Sequence, residues 1–205
     1  MNNLVLKVGL TGNISTGKST VAKLLSKYPD IRVLDADKVV HNLLEREDVK
    51  KKLVEKLGEE ILNPDGSVNR KRIARKVFNN PELLRWLEQL LHPLVYEEFE
   101  KFCRKKGGIC VLEAALIFEK GNKNRFDYTV LVYTPFEIAK ERALKKGFDE
   151  EDFHKRWAKQ MDIELKRKMA DFVIDNTGSL EETKRQVEKL VEILRRKLKE
   201  KKANP

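Results

Sequence analysis

The sequence predicts an α/β fold built on a five-stranded parallel sheet with helices on both faces. Two observations predict it: apolar runs alternate with longer helical stretches, and each run is short and mainly apolar, as in strands buried on both faces. The chain of 205 residues is long enough for one domain with insertions. The predicted strands are residues 4–10, 31–34, 109–112, 128–133 and 172–174.

The first predicted strand leads into the segment Gly9-Leu-Thr-Gly-Asn-Ile-Ser-Thr-Gly-Lys-Ser-Thr20, and a helical pattern follows. Gly12, Gly17, Lys18 and Ser19 fit the G-x-x-x-x-G-K-[ST] pattern, and strand–loop–helix is the context that this pattern requires. The alternative is a glycine-rich turn that binds nothing, but pattern and context together favour a nucleotide. We therefore assign a nucleoside triphosphate to Gly12, Asn13, Ile14, Ser15, Thr16, Gly17, Lys18, Ser19 and Thr20.

This motif narrows the fold class to a three-layer P-loop NTPase fold, but it does not distinguish a kinase from a GTPase, a motor or a helicase. The small size of the chain and two helical insertions favour a phosphotransferase with a helical substrate subdomain and a short helical lid. In such a loop, backbone N–H groups and the positive end of the following helix dipole hold the phosphates. Lys18 would reach the β- and γ-phosphates, and the Ser19 hydroxyl would bind Mg²⁺.

Carboxylates follow other predicted strands, where ligands of parallel sheets bind. Asp35-Ala-Asp37 follows the second strand, Glu113 the third and Asp175-Asn176 the fifth. Asp37 is our predicted base for an acceptor hydroxyl. We assign Glu113, together with Ser19, to the metal site, with Asp35 and Glu113 contacting magnesium-bound water. A helix N-cap is the alternative for Asp35 and Asp37.

Two helical insertions interrupt the predicted core, which comprises residues 1–37, 107–136 and 169–205 of a single kinase domain. Residues 38–106 are expected to bind the acceptor, since a simple crossover needs only about a dozen residues. Residues 137–168 are expected to form a lid that excludes water, which competes for the γ-phosphoryl group. Within this lid Arg142, Lys145 and Lys146 either deliver positive charge to the phosphates or form a solvated face.

The helical pattern ahead of His92-Pro93 predicts a helix that ends at His92, because proline disfavours helix at the preceding residue. A second pattern, over residues 180–198, predicts a helix packed on the sheet.

Composition admits two classes of partner. The net charge of +10, from 43 basic and 33 acidic residues, suits either nucleic acid or polyanionic small molecules. We expect no nucleic acid, because no basic stretch is interleaved with aromatic residues. We expect no membrane partner either, since no apolar stretch approaches spanning length. Two cysteines outside any C-x-x-C motif and the absence of a signal segment favour the cytoplasm.

Taken in order along the chain, the motifs resemble those of the dephospho-coenzyme A kinase family. The opening loop resembles that family's G-L-T-G-G-I-G-S-G-K-S-T, and the second strand resembles its motif ending in D-A-D. The other matching segments are Gly66 with Asn69-Arg70, Val77-Phe78, Leu87-Glu88, His92-Pro93, Leu116-Ile-Phe-Glu119, Gln160 and Ala170-Asp-Phe-Val-Ile-Asp-Asn176.

The resemblance implies transfer of the ATP γ-phosphoryl group to the ribose 3′-hydroxyl of dephospho-coenzyme A, the last step of coenzyme A biosynthesis. It implies that Asp37 is the base, with Lys18 and Arg142 as further catalytic residues. Asp37, Arg70 and His92 become acceptor-side residues, and Asn176 lies near the adenine. ATP and dephospho-coenzyme A are the expected partners of a monomer or weak homo-oligomer, with Mg²⁺ as cofactor. A nucleoside or nucleoside monophosphate kinase of the same fold is the alternative.

The chain departs from the usual family pattern at several positions. Asn13 and Ser15 stand in the phosphate loop where glycine is usual, which leaves the backbone less freedom. Ala115 replaces a proline and Ala139 a common glutamine. Lys146 replaces a second lid arginine and cannot offer the bidentate guanidinium fork.

Overall fold

A computed structural model describes residues 4–204. Within this part of the chain, each predicted strand is present and agrees with the observed one to within one residue at either end. The α/β fold class is therefore confirmed. The strands are Val5–Thr11 (β1), Ile31–Asp35 (β2), Gly108–Glu113 (β3), Tyr128–Tyr133 (β4) and Phe172–Asp175 (β5).

The strands form one parallel sheet in the order β2-β3-β1-β4-β5. Because every pairing is parallel, the carboxyl ends of all five strands meet at one edge of the sheet. At that edge Glu113 of β3 lies opposite Asp35 of β2 on one side and Leu10 of β1 on the other. The start of the phosphate loop and two carboxylates are therefore neighbours.

Helices cover both faces of the sheet, as the alternation of side chains along β4 shows. Val130 and Val132 join the large core formed with the first and last helices, whereas Leu131 and Tyr133 pack against Ile163 on the other face. The helices are Lys18–Ser26 (α1), Ala36–Glu45 (α2), Glu47–Leu57 (α3), Arg70–Phe78 (α4), Pro81–Lys106 (α5), Phe136–Lys145 (α6), Glu150–Lys159 (α7), Ile163–Met169 (α8) and Leu180–Ala203 (α9).

The described residues divide into two compact units. One contains the chain up to Asp35 and from Phe102 onward, and the other is Ala36–Lys101. All five strands belong to the first unit. The second unit is helical, with buried apolar side chains from α2, α3, α4 and α5. None of the helices within residues 4–204 is both apolar and long enough to cross a bilayer.

The predicted end of a helix at His92 is wrong, because α5 continues through Pro93 to Lys106. A proline inside a helix costs about 3 kcal/mol, since it removes one backbone hydrogen bond and its ring clashes with the preceding turn. The apolar face nevertheless continues past it, with Leu91, Val95 and Phe99 all buried at a spacing of four residues. Burial of this face overrides the local preference of the proline.

Candidate active site

The phosphate loop joins β1 to α1, and two of its residues have left-handed backbone conformations. Gly17 has φ 96° and Ser15 has φ 62°. At Gly17 a side chain is also sterically unfavourable, because a Cβ atom would collide with Nδ2 of Asn176. Lys18 and Ser19 follow as the first two residues of α1, and the Ser19 side chain is exposed. The motif therefore has the strand–loop–helix geometry that its sequence pattern predicts.

The carbonyl oxygen of Thr16 is held from behind the loop by two side chains. It accepts hydrogen bonds from Nδ2 of Asn176 at 2.9 Å and from the hydroxyl of Thr134 at 3.0 Å. The amide oxygen of Asn176 in turn accepts a bond from the Thr183 hydroxyl at 2.7 Å. Asn176, which the resemblance associates with the adenine, thus contacts the phosphate loop itself. Its proximity to the adenine stays a prediction.

The beginning of the loop is tied to the segment that contains α8. Nδ2 of Asn13 donates to the carbonyl oxygen of Met161 at 3.1 Å, and the Ile14 N–H donates to Oε1 of Gln160 at 2.8 Å. The ammonium of Lys166 donates to Oδ1 of Asn13 at 2.7 Å. Asn13, where the family usually has glycine, therefore uses both ends of its amide.

Lys166 is a charged residue that the sequence reasoning missed. Its side chain is 0% exposed and pairs with Oε2 of Glu119 at 2.6 Å. Burial lowers the pKa of the Lys166 ammonium, and the hydrogen bond to Glu119 opposes that shift. A lysine in a short helix rich in charged residues is normally solvated, so the sequence carried little sign of this burial.

Arg142 points into the protein rather than toward solvent. Its guanidinium donates to the carbonyl oxygens of Asn176 at 2.6 Å and Thr177 at 3.1 Å, in the loop after β5. Lys145 instead is exposed and pairs with Glu141 one turn earlier at 3.0 Å. Lys146 follows the end of α6 and is exposed. The three basic residues are therefore not gathered on one face, and the solvated alternative fits Lys145.

The carboxylates are distributed over the two compact units. Asp35 is the last residue of β2 and Glu113 the last of β3, so both belong to the sheet. Asp37 lies exposed in the first turn of α2, in the second unit. Ser19, Asp35 and Glu113 offer only oxygen atoms, which Mg²⁺ prefers.

The oxygen atoms of Ser19, Asp35 and Glu113 fit a magnesium ion that is bound largely by a nucleotide. Among residues 4–204, no group of three or more His, Cys, Asp or Glu side chains is arranged to hold a metal ion. Mg²⁺ is commonly held by one or two protein oxygens together with substrate phosphates and water. The residues present suit that kind of site and not an all-protein cage.

In the second unit, Arg70 is the first residue of α4, which Asn69 caps by accepting a hydrogen bond from the Arg72 N–H at 3.2 Å. The Arg70 guanidinium contacts the imidazole ring of His41 on α2. Sequence reasoning assigned no role to His41, because His41 belongs to no recognised motif. His92 is half-buried within α5.

Comparison with known proteins identifies the family of the chain. The sequence model of the family described as dephospho-CoA kinase matches residues 6–182, which is more than half of the chain. The chain belongs to the dephospho-CoA kinase family. The dephospho-CoA kinase of Aquifex aeolicus is 46% identical over 193 residues, which cover 93% of this chain and 98% of that protein.

Solved structures agree with the observed α/β fold. The crystal structure of TT1252 from Thermus thermophilus has a TM-score of 0.80 and 36% identity, covering 93% of this chain and 98% of that one. The structure of shikimate kinase from Bacteroides thetaiotaomicron has a TM-score of 0.51 at 15% identity, covering 93% and 98% of the two chains. At that identity the likeness supports the P-loop kinase fold alone.

Two departures from the usual dephospho-CoA kinase pattern have a physical account. Ser15 adopts the left-handed conformation that glycine would take with less strain. Ala139 is 0% exposed and packs with Ala143 and Phe153, a cluster that Ile14 of the phosphate loop also contacts. A larger polar side chain at Ala139 would enter this apolar cluster. Nothing in the structure explains the alanine at position 115.

Proposed function

We propose that this chain transfers the γ-phosphoryl group of ATP to the ribose 3′-hydroxyl of dephospho-coenzyme A. The observation that carries the proposal is a complete phosphate loop between β1 and α1 in a member of the dephospho-CoA kinase family. Phosphoryl transfer depends mainly on positioning and on neutralisation of charge. The site needs few reactive groups for this chemistry.

The donor half of the reaction is assigned to the loop and to α1. The N–H groups of the loop and the positive end of α1 bind the phosphates, and the Lys18 ammonium neutralises charge as it spreads over the transferred group. The bonds from Asn176 and Thr134 to the Thr16 carbonyl support this role, because they fix the peptide that precedes Gly17. The loop is thereby organised before ATP binds.

The acceptor half is assigned to the residues after β2 and to the helical insertion. Asp37 orients the 3′-hydroxyl and accepts its proton. Arg70 and His92 bind dephospho-coenzyme A, and the contact between Arg70 and His41 supports this by holding the guanidinium near the start of α4. An exposed arginine is suited to the phosphate groups of such a substrate.

Mg²⁺ is proposed as the cofactor, held by Ser19 together with Glu113 and Asp35 through their oxygen atoms. When bound, it neutralises charge on the β- and γ-phosphates. Residues 137–168 are proposed as the lid, with Arg142 as its cation. Packing of Ile14 against the cluster of α6 and α7 supports a connection between this segment and the phosphate loop. A monomer or weak homo-oligomer in the cytoplasm stays our expectation.

A panel of acceptors tests the proposed function. The purified chain is incubated with ATP, Mg²⁺ and either dephospho-coenzyme A, adenosine, AMP or shikimate, and ADP formation is measured. We expect kcat/KM for dephospho-coenzyme A to exceed that for every other acceptor. A preference for a nucleoside or a nucleoside monophosphate would replace the proposal with the alternative kinase.

A further inference from the structure

We propose that Lys166 is a positioning residue for ATP binding, acting through Asn13 on the beginning of the phosphate loop. The inference rests on the proposed function only in taking ATP as the ligand of this loop. It concerns a buried side chain that none of the assigned steps of phosphoryl transfer uses. Three sets of contacts support it.

The first is the environment of the Lys166 ammonium. The side chain is 0% exposed, and its nitrogen lies 2.6 Å from Oε2 of Glu119 and 2.7 Å from Oδ1 of Asn13. Burial of a lysine is costly, so a folded protein retains one only where its charge is paired and hydrogen-bonded. Here one of the two partners belongs to the phosphate loop.

The second set of contacts involves the partners of Lys166. Oε2 of Glu119 also accepts the Met161 N–H at 3.1 Å, and the Met161 carbonyl accepts Nδ2 of Asn13 at 3.1 Å. Lys166, Asn13, Met161 and Glu119 therefore form a closed ring of four hydrogen-bonded residues. Such a ring holds Asn13 in one orientation, because rotation of its amide would break two bonds at once.

The third set connects the ring to the phosphate-binding part of the loop. The Asn13 carbonyl accepts the Thr16 hydroxyl at 2.9 Å and the Thr16 N–H at 3.2 Å. The positive charge of Lys18 also contributes to the lowered pKa of Lys166. These bonds give Lys166 a path to the phosphate-binding residues through Asn13 and Thr16.

Loss of the ring should weaken nucleotide binding, because part of the binding free energy of ATP would then be used to order the phosphate loop. Acceptor binding should be unaffected, since the ring includes no acceptor-side residue. Oε1 of Glu119 is buried without a hydrogen-bond partner among the described residues. Removal of Lys166 alone therefore leaves a buried carboxylate without its counter-ion, and the variant Lys166→Met can fail to fold.

The test uses two single variants, their combination and one control. Lys166→Met removes the ammonium, and Asn13→Ala removes its acceptor while leaving the pair with Glu119 intact. Lys189→Met removes the same charge from an exposed position of α9. Dissociation constants are measured by calorimetry for the magnesium complex of adenosine 5′-(β,γ-imido)triphosphate and, separately, for dephospho-coenzyme A. Circular dichroism verifies the fold of each variant.

We expect each single variant to bind the ATP analogue about tenfold more weakly, with dephospho-coenzyme A binding and the Lys189→Met control unchanged. The double variant should also lose about tenfold and not about a hundredfold, because both changes break the same bond. Wild-type affinity of Asn13→Ala for the analogue, additive losses, or equal losses for both substrates would overturn the inference. If Lys166→Met does not fold, Asn13→Ala decides alone.

The experiment separates this inference from the proposed function. The analogue binds without any acceptor, so its affinity does not depend on which hydroxyl is phosphorylated. A wild-type protein that prefers another acceptor would overturn the proposed function and leave the role of Lys166 standing.

Discussion

At the scale of single residues, the phosphate loop depends on a few backbone conformations and on the side chains behind them. Gly17 combines a left-handed backbone with contact to Asn176, so a side chain there would be strained and would displace the Asn176 amide. Ser15 adopts a similar conformation in spite of its side chain. The sequence predicted both positions as parts of the loop, because the pattern of glycines and Lys18 is local. It did not reveal Thr134 and Asn176 behind Thr16, since those contacts span more than a hundred residues.

Replacement of Lys18 by alanine should reduce kcat by about a hundredfold or more, because it removes the charge that we propose stabilises the transferred phosphoryl group. Steady-state assays with ATP and dephospho-coenzyme A measure the effect. Lys189→Ala, an exposed lysine of α9, is the matched control and should retain wild-type turnover. Comparable kcat values for the two variants would contradict the role of Lys18.

Replacement of Asp37 by asparagine should lower kcat by about 10²- to 10⁴-fold, as expected for the loss of a general base. Affinity for ATP should stay within about twofold, because the carboxylate is assigned to the acceptor and not to the nucleotide. Asp48→Asn alters another carboxylate in the first turn of a helix and serves as the control. An unchanged kcat in Asp37→Asn would remove Asp37 from the role of base.

At the scale of elements, the loop between β5 and α9 connects the phosphate loop to the rest of the first unit. Its backbone accepts the Arg142 guanidinium, and its Asn176 side chain contacts Thr16. The strands could be predicted because each is a short apolar run, and the last helix could be predicted from its apolar periodicity. The continuation of α5 through Pro93 could not be predicted, because proline disfavours a helix locally. The helix continues because it buries Val95 and Phe99, which depends on tertiary packing.

The start of α9 offers a prediction at this scale. Ser179 forms a capping box with Glu182, in which each side chain bonds the backbone N–H of the other. Ser179→Ala should lower the free energy of unfolding by about 1 kcal/mol, because the Glu182 N–H loses the hydroxyl that accepts its hydrogen bond. Urea denaturation measures the change.

Ser179→Asp is the matched control, since aspartate also caps helices well and should keep wild-type stability. If alanine and aspartate gave the same unfolding midpoint as serine, the capping box would contribute nothing to stability.

At the scale of the whole molecule, the 43 basic side chains are less available to a polyanion than their number suggests. Several cations of α9 already have acidic partners in the first unit. Arg195 forms two bonds with Asp30 at 2.8 and 2.9 Å, and the Asp30 pKa is lowered mainly by this contact. Lys201 lies 3.0 Å from Asp127. Composition alone could not reveal these pairs, because their members are far apart in sequence.

We therefore expect weak and strongly salt-dependent binding of nucleic acid. Titration of a labelled DNA duplex and of a single strand at about 50 and 200 mM salt should show affinity that falls by orders of magnitude, as for nonspecific contacts. At the higher salt, dissociation constants should exceed about 1 µM. Tight binding that persists at the higher salt would contradict the assignment of small molecules as the only partners.

The placement of the whole sheet in one unit has a consequence for how such enzymes diverge. Because residues 36–101 contribute no strand, insertions and substitutions there leave the register of the sheet unaltered. Sequence changes can therefore accumulate in this segment while the strand that leads into the phosphate loop keeps both of its pairings.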